Sequence, residues 1–217
     1  PLLSQRLTVW SVTWSCSDAL SGATGSGDAK TLSSDGANQS TTGTCQDNAG
    51  NTASNTQTGI NIDKTAPTII LVSRTAANSN GWNNTNVVVN WNCADSLSGV
   101  VNASVSRTVS TEGSNQSATG SCTDLAGNSA SNTQTGINID KTVPLIAFVS
   151  RTAPNAAGWN NTSVTVLWSC NDSLSGAVSP TVSQTINTEG VNLSATGTCY
   201  DNAGNSASNT QSGIKID

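Results

Sequence analysis

Three cysteine pairs, Cys16/Cys45, Cys93/Cys122 and Cys170/Cys199, share one internal spacing, and the step from the first pair to the second equals the step from the second to the third. That period fixes the kind of fold available, because the chain must be one cysteine-bearing unit copied three times. Periods of about 20–50 residues mark solenoids, whose units cannot bury a core alone. The period here is longer, and a unit of roughly 80 residues is long enough for its own small core. The sequence is therefore read as three successive domains, residues 1–64, 65–141 and 142–217.

The copies align without gaps, and 65–141 and 142–217 are identical at about two thirds of positions. Trp14-Ser-Cys16 becomes Trp91-Asn-Cys93 and Trp168-Ser-Cys170. Asp47-Asn-Ala-Gly-Asn51 becomes Asp124-Leu-Ala-Gly-Asn128 and Asp201-Asn-Ala-Gly-Asn205. The endings at Asp63, Asp140 and Asp217 each follow Gly-Ile-x-Ile.

Strictly repeated cysteines favour one disulfide inside each copy, formed in an oxidising compartment. Zinc would need Cys-x-x-Cys pairs or histidine partners, and the chain has neither. A bridge between copies would break their equivalence. Closing a loop of about 30 residues should stabilise each copy by roughly 3–4 kcal/mol in the chain-entropy model. That matters in a chain with one Phe and one Tyr.

The second copy shows the element pattern. Residues 68–73 form a β-branched run after Pro67 and read as a first strand. Val87, Val89, Trp91 and Cys93 alternate with polar residues, which gives a half-buried strand carrying the first cysteine inward. Residues 95–99 turn the chain, and 101–109 alternate more weakly. Residues 117–122 carry the second cysteine. Asp124 to Asn128 reads as a tight turn, and 130–139 as the last strand, with Ile137 and Ile139 on one face. No segment has useful helical periodicity. Short strands between Gly, Asn and Asp turns indicate an all-β sandwich, its two cysteines stapling one sheet to the other beside the Trp. The Trp sits on the cysteine strand itself, unlike the antibody arrangement.

The joints Asp63-Lys-Thr-Ala-Pro67 and Asp140-Lys-Thr-Val-Pro144 contain no Gly/Ser linker. Proline restricts itself and its predecessor, so the array should be semi-rigid. The first copy lacks a counterpart of 68–73 and of the Gly-Trp-Asn-Asn turn at Gly81–Asn84 and Gly158–Asn161. Two readings follow. Either the array is an excerpt of a longer one, or a strand from another copy fills an open edge.

Charged residues make up 10% of the chain and the net charge is −5, with 8 Lys and Arg that do not cluster, so nucleic acid is not an expected partner. No run of about 18 apolar residues predicts a membrane span. There is no histidine, Glu occurs only at Glu112 and Glu189, and a serine nucleophile would have no base, so no enzyme is expected.

The succession Ile-Asp-Lys-Thr-Ala-Pro, Gly-Trp-Asn-Asn, Asp-x-Leu-Ser-Gly, Gly-x-Asn-x-Ser-Ala-Thr-Gly and Asp-x-Ala-Gly-Asn resembles bacterial Ig-like surface repeats of large adhesins and leptospiral outer-surface proteins. The Asp-x-Ala-Gly-Asn ending is also similar to hyalin repeats. The resemblance covers the whole chain. It implies tandem Ig-like β-sandwich units in extracellular stalks, adhesins or filaments, without shared catalytic residues. The cysteine pair departs from many bacterial members.

Two sets of residues invite a ligand or a modification. Asp63, Asp95, Asp124 and Asp140, with their copies, are candidate Ca²⁺ ligands, since hard oxygen donors recur at strand ends and joints. The leading reading is that each Asp caps its own turn through backbone N–H groups, so that no cofactor is expected and calcium is not required for the fold. Asn38, Asn115 and Asn192 recur in Asn-x-Ser sequons, and Asn83 and Asn160 also open sequons, which makes them glycosylation candidates.

The leading expectation is a structural tandem-repeat segment of a secreted filament or surface adhesin stalk, partnered by neighbouring repeats or by other copies of itself. The alternative is a binding module for a glycan or host protein, using loops and exposed Trp82 and Trp159.

Overall fold

The computed structural model describes residues 9–217, which contain fourteen strands and no helix. Residues 1–8, on which the expectation of an open first copy turns, lie outside the described residues. The chain divides into two compact units. One comprises residues up to 73 with 90–106 and 119–132, and the other comprises 74–89, 107–118 and 133–217.

The elements repeat along the chain. The first copy contributes β1 (Trp10–Ser15), β2 (Gly27–Leu32), β3 (Gly36–Gln46) and β4 (Thr52–Ile62). The second contributes β5 (Thr68–Arg74), β6 (Val87–Ala94), β7 (Ser104–Val109), β8 (Gly113–Thr123) and β9 (Ser129–Ile139). The third contributes β10 (Leu145–Arg151), β11 (Val164–Asn171), β12 (Thr181–Ile186), β13 (Gly190–Tyr200) and β14 (Ser206–Ile216). Sheet order is β10-β11-β12 with β13-β14 in the third copy, and β5-β6-β7 with β8-β9 in the second. In the first, β1 pairs β2 and β3 pairs β4. Five strands in a three-plus-two sandwich are fewer than the seven of a constant-type immunoglobulin domain.

The third copy shows how so little apolar material closes a core. Val164, Val166 and Trp168 point inward from β11 and meet Ala195 of β13 with Ile214 and Ile216 of β14, all at most 5% exposed. Ile146, Val182, Ile186 and Leu193 pack around them. The Trp168 ring lies against Gly197, where a Cβ would come within 2.5 Å of ring carbons. Gly120 stands in the same relation to Trp91 and Gly43 to Trp14. The glycine of the Ser-Ala-Thr-Gly motif is therefore the floor under the indole. Each indole also donates across the sandwich, from Nε1 of Trp14, Trp91 and Trp168 to Oδ1 of Asn55, Asn132 and Asn209, at 3.3, 3.0 and 2.9 Å. In the buried Trp91 and Trp168 that bond satisfies the one polar atom of the ring.

Two residues from each Trp, the cysteines join the sheets. Cys16–Cys45, Cys93–Cys122 and Cys170–Cys199 are bonded, with Cα–Cα distances of 5.7, 5.8 and 5.7 Å. No free cysteine remains among the described residues.

The strands run where alternation placed them, with one informative difference. β8 begins at Gly113, ahead of the start at 117 that the sequence suggested. The hidden segment contains Asn115 at φ 54°, and Asn38 and Asn192 repeat it at φ 57° and 58°. In the first and third copies the ladder register shifts around these residues. A left-handed residue inside a bulge breaks the period of two, so the strand does not read as one. Gly59, Gly136 and Gly213, at φ 76°, 67° and 70°, occupy the partner strands near the same bulges. Past Gly213 the inward phase moves from Asn209 and Gln211 to Ile214 and Ile216.

The Trp–glycine contact generates a direct test. Gly197→Ala should lower stability by about 1–3 kcal/mol, an overpacking cost, measured by urea unfolding with the disulfides intact. An unchanged midpoint would show that the indole can move aside.

Candidate metal centre at the ends of the repeats

Three short motifs assemble one site, and each is shaped by local chemistry. In Asp95-Ser-Leu-Ser-Gly99 the carboxylate folds back on its own turn. Asp95 Oδ1 accepts the backbone N–H groups of Leu97, Ser98 and Gly99 at 3.0, 2.9 and 3.0 Å. Burial raises the pKa of Asp95, but these three donors outweigh it and hold the carboxyl below its usual range. In Asp124-Leu-Ala-Gly-Asn128 the carboxylate receives both the backbone N–H and the amide of Asn128, each at 2.8 Å. The third motif is the strand end. Asp63 follows Ile62 at the close of β4, and its Oδ1 accepts the Thr65 N–H at 3.0 Å.

The fold brings these motifs together. Asp63 Oδ2 accepts the Ser98 N–H at 3.1 Å, and Asn128 Nδ2 donates to the Asp63 carbonyl at 3.0 Å. The strand end of one copy is thereby gripped by two turns of the next. Asp140, Asp172 and Asp201 repeat the arrangement. Ser175 N–H donates to Asp140 Oδ2 at 3.0 Å, and Asn205 Nδ2 donates to the Asp140 carbonyl at 2.9 Å. In each triad one carboxylate oxygen per residue lies within 4.8 Å of the others.

Burial makes the convergence significant. Asp63, Asp124, Asp140 and Asp201 are at most 2% exposed. The joint lysines turn elsewhere. Lys64 Nζ bonds the Ser33 carbonyl and lies 3.9 Å from Asp35, while Lys141 Nζ bonds Asn86 Oδ1 and the Ser110 carbonyl. Three carboxylates with two of them buried repel one another unless protons or a cation intervene. Hard oxygen donors at this spacing fit Ca²⁺, and the two triads are suited to hold it.

Both sequence readings of the aspartates thus meet in one place. Asp95 and Asp124 do cap their turns, and the same residues converge with Asp63. The sequence set Asp63 and Asp140 apart as joint residues. The structure groups Asp63 with Asp95 and Asp124, and Asp140 with Asp172 and Asp201. The gripping donors, Asn128 and Asn205 with the Ser98 and Ser175 amides, were not anticipated. Their signal was the recurrence of all the parts together in every copy.

The other candidates are placed as follows. Asn38, Asn115 and Asn192 are exposed, and their left-handed φ alone accounts for asparagine at these points. The Asn38 and Asn115 N–H groups donate to Oδ1 of Asn61 and Asn138. Asn83 and Asn160 are 5% and 7% exposed, and their amides donate to the carbonyls of Ala76 and Ala153, so both are committed to their turns. Trp82 and Trp159 are half-buried, and Lys215 Nζ lies 5.8 Å over the Trp159 ring. No helix among the described residues is long and apolar enough to cross a membrane.

Asn128→Ala removes the donor to both the Asp63 carbonyl and Asp124 Oδ2. It should cost about 1–3 kcal/mol, the penalty of stranding buried acceptors. Asn51→Ala, at the exposed equivalent, should cost less, and equal losses in urea unfolding would contradict the grip.

No family model matches the chain, and no curated protein matches it in sequence. Among solved structures it is similar to a Ca²⁺-stabilized adhesin that helps an Antarctic bacterium reach out and bind ice. Identity is 15% and the TM-score 0.36, over 96% of this chain and 69% of that one. It is also similar to a 1.5-MDa bacterial ice-binding adhesin, described in connection with host cell surface retention, at 16% identity and a TM-score of 0.33, over 88% of this chain and 81% of that one.

Proposed function

We propose that the chain is a structural array of three Ig-like repeats, residues 1–64, 65–141 and 142–217, in an extracellular stalk or adhesin, with each joint braced by Ca²⁺. The observation that carries this reading is the buried convergence of Asp63 with Asp95 and Asp124, and of Asp140 with Asp172 and Asp201. A binding module spends its unusual chemistry on an exposed loop or groove. This chain places its buried charge where one repeat ends and the next begins.

Ca²⁺ held there would supply the positive charge that three carboxylates lack. The chain's own groups do the rest. Ser98 and Ser175 N–H groups fix one oxygen of the joint Asp, and Asn128 and Asn205 fix its carbonyl, so the remaining carboxylate oxygens are oriented before any ion arrives. The disulfides support an oxidising, extracellular setting. Neighbouring repeats are the first partners on this reading. The half-buried Trp82 and Trp159 favour a structural role for those loops over sugar stacking.

Calcium should raise the thermal midpoint relative to a chelated sample. At a calcium concentration about 100 times Kd, each occupied site adds roughly 2.7 kcal/mol. Asp63→Asn with Asp140→Asn should remove most of the gain while leaving the disulfides formed. Coincident scans with and without chelator would leave the aspartates as caps alone and overturn the brace.

A further inference from the structure

Asn80-Gly81 is the one Asn-Gly pair in the chain, and both residues are exposed. Asn78 builds the turn that holds them. Its carbonyl accepts the Gly81 N–H at 3.0 Å, and its Oδ1 accepts the N–H groups of Asn80 and Trp82 at 3.0 and 3.1 Å. The third repeat makes the same turn on Asn155. There the carbonyl accepts the Gly158 N–H at 2.9 Å, and Oδ1 accepts the Ala157 and Trp159 N–H groups, each at 3.0 Å. Alanine at 157 shows that the turn needs no amide at this place. The Asn80 amide is used elsewhere. Asn78 Nδ2 and Asn80 Nδ2 both donate to the Asn202 carbonyl, at 2.8 and 3.2 Å. Asn202 lies between Asp201 and Asn205, in the turn whose Asn205 amide grips the Asp140 carbonyl. The two amides therefore make a second clasp on the same joint, with no cation involved.

This dipeptide carries chemistry of its own. Asparagine is among the thermolabile residues, and a following glycine leaves its backbone nitrogen unshielded by a Cβ. The Gly81 nitrogen bonds to Asn80 Cγ, and the Cγ–Nδ2 bond breaks. The proton of the Gly81 nitrogen ends, through solvent, on Nδ2, which departs as ammonia. One water then opens the resulting cyclic imide at either carbonyl. The product is aspartate or, with the chain rerouted through Cγ, isoaspartate. One water is consumed and one ammonia released, and no oxidant or reductant takes part. In the docked joint both reacting groups are engaged, the nitrogen's N–H by the Asn78 carbonyl and the leaving amide by the Asn202 carbonyl.

We propose that Asn80 is a site of spontaneous deamidation that the docked joint restrains, and that its conversion undoes the clasp. A carboxylate at 80 cannot donate to the Asn202 carbonyl. It sets two oxygens against each other and adds negative charge to a joint that already gathers Asp140, Asp172 and Asp201. Isoaspartate also lengthens the backbone inside the turn. The ammonia is lost, so the change runs one way, and the converted fraction integrates the time the joint spends open. None of this depends on calcium.

Peptide mapping by mass spectrometry of the whole chain, aged at mildly alkaline pH, tests it. In the reduced, denatured chain residue 80 should convert faster than any other asparagine, and in the native chain more slowly by at least about fivefold. Asn78→Asp keeps the Oδ1 that builds the turn and loses the amide to Asn202. Asn205→Ala loosens the joint and touches nothing in the turn. Below its unfolding midpoint, each variant should speed conversion at 80 by about fivefold, the effect of one net hydrogen bond. Asn80→Asp stands in for the product. It should speed hydrogen exchange of the Ser175 N–H, which donates to Asp140 Oδ2, by a similar factor and leave the Trp168 N–H unchanged. A native rate equal to the denatured one, or one that either variant leaves unmoved, overturns the restraint. Unchanged exchange at Ser175 in Asn80→Asp overturns the effect on the joint.

Discussion

The structure depends on one contact, an indole laid across a glycine between two sheets. Trp168 meets Gly197, and its Nε1 reaches Asn209, so a single side chain fixes both the distance between the sheets and their register. A five-strand sandwich with few aromatics has little else of that size to bury. The glycine leaves room for the ring, and the asparagine satisfies the one group on the ring that would otherwise be stranded. The disulfide stands two residues along the same strand and constrains the unfolded chain where the Trp constrains the folded one. Because Trp, Gly, Asn and both cysteines recur together at the same interval, each copy repeats the whole device.

The joints follow a different logic. A strand that ends in Ile-Asp carries its carboxylate directly off the core, because the preceding Ile is buried and the strand can go no further inward. The next repeat meets that carboxylate with two turns that are themselves built around aspartates. Capping alone would satisfy each turn separately, and it leaves a buried concentration of negative charge as the by-product of bringing them together. The backbone N–H groups of Ser98 and Ser175 and the amides of Asn128 and Asn205 offset part of that cost. They act as dipoles, and their capacity is limited, which is why the two triads are suited to a divalent cation.

Much of this architecture was legible because its signals are local and repeated. The inward face of Val87, Val89, Trp91 and Cys93 follows from period two, and the cysteine pairing follows from the equivalence of the copies. The start of β8 was not legible, because Asn115 in the left-handed region shifts the phase and makes a strand look like a turn. The glycine under the indole was visible as a motif but not as a packing partner, since nothing in the spacing of Gly120 and Trp91 says they face one another. The aspartate convergence was half legible. Each residue stood out as a candidate, but the meeting of Asp63 with Asp95 and Asp124 depends on how a strand end approaches two distant turns, and linear spacing does not encode that approach.

The distribution of charge ties these points together. Of 13 acidic residues, nine belong to the three recurring positions of the joint: Asp18, Asp95 and Asp172, Asp47, Asp124 and Asp201, and Asp63, Asp140 and Asp217. The net charge of −5 is therefore not spread over a solvated surface as it is in most soluble domains. It is gathered at the repeat ends, while the sheets between them expose Ser, Thr and Asn together with apolar side chains such as Ile70 and Val72 of β5 and Leu145 and Phe148 of β10. Ionic conditions should consequently act on the joints and leave the sandwich cores, held by indole, glycine and disulfide, largely indifferent. On the calcium-braced reading proposed above, this separation would let the core of each repeat stay fixed while the connection between repeats answers to the surrounding cation concentration.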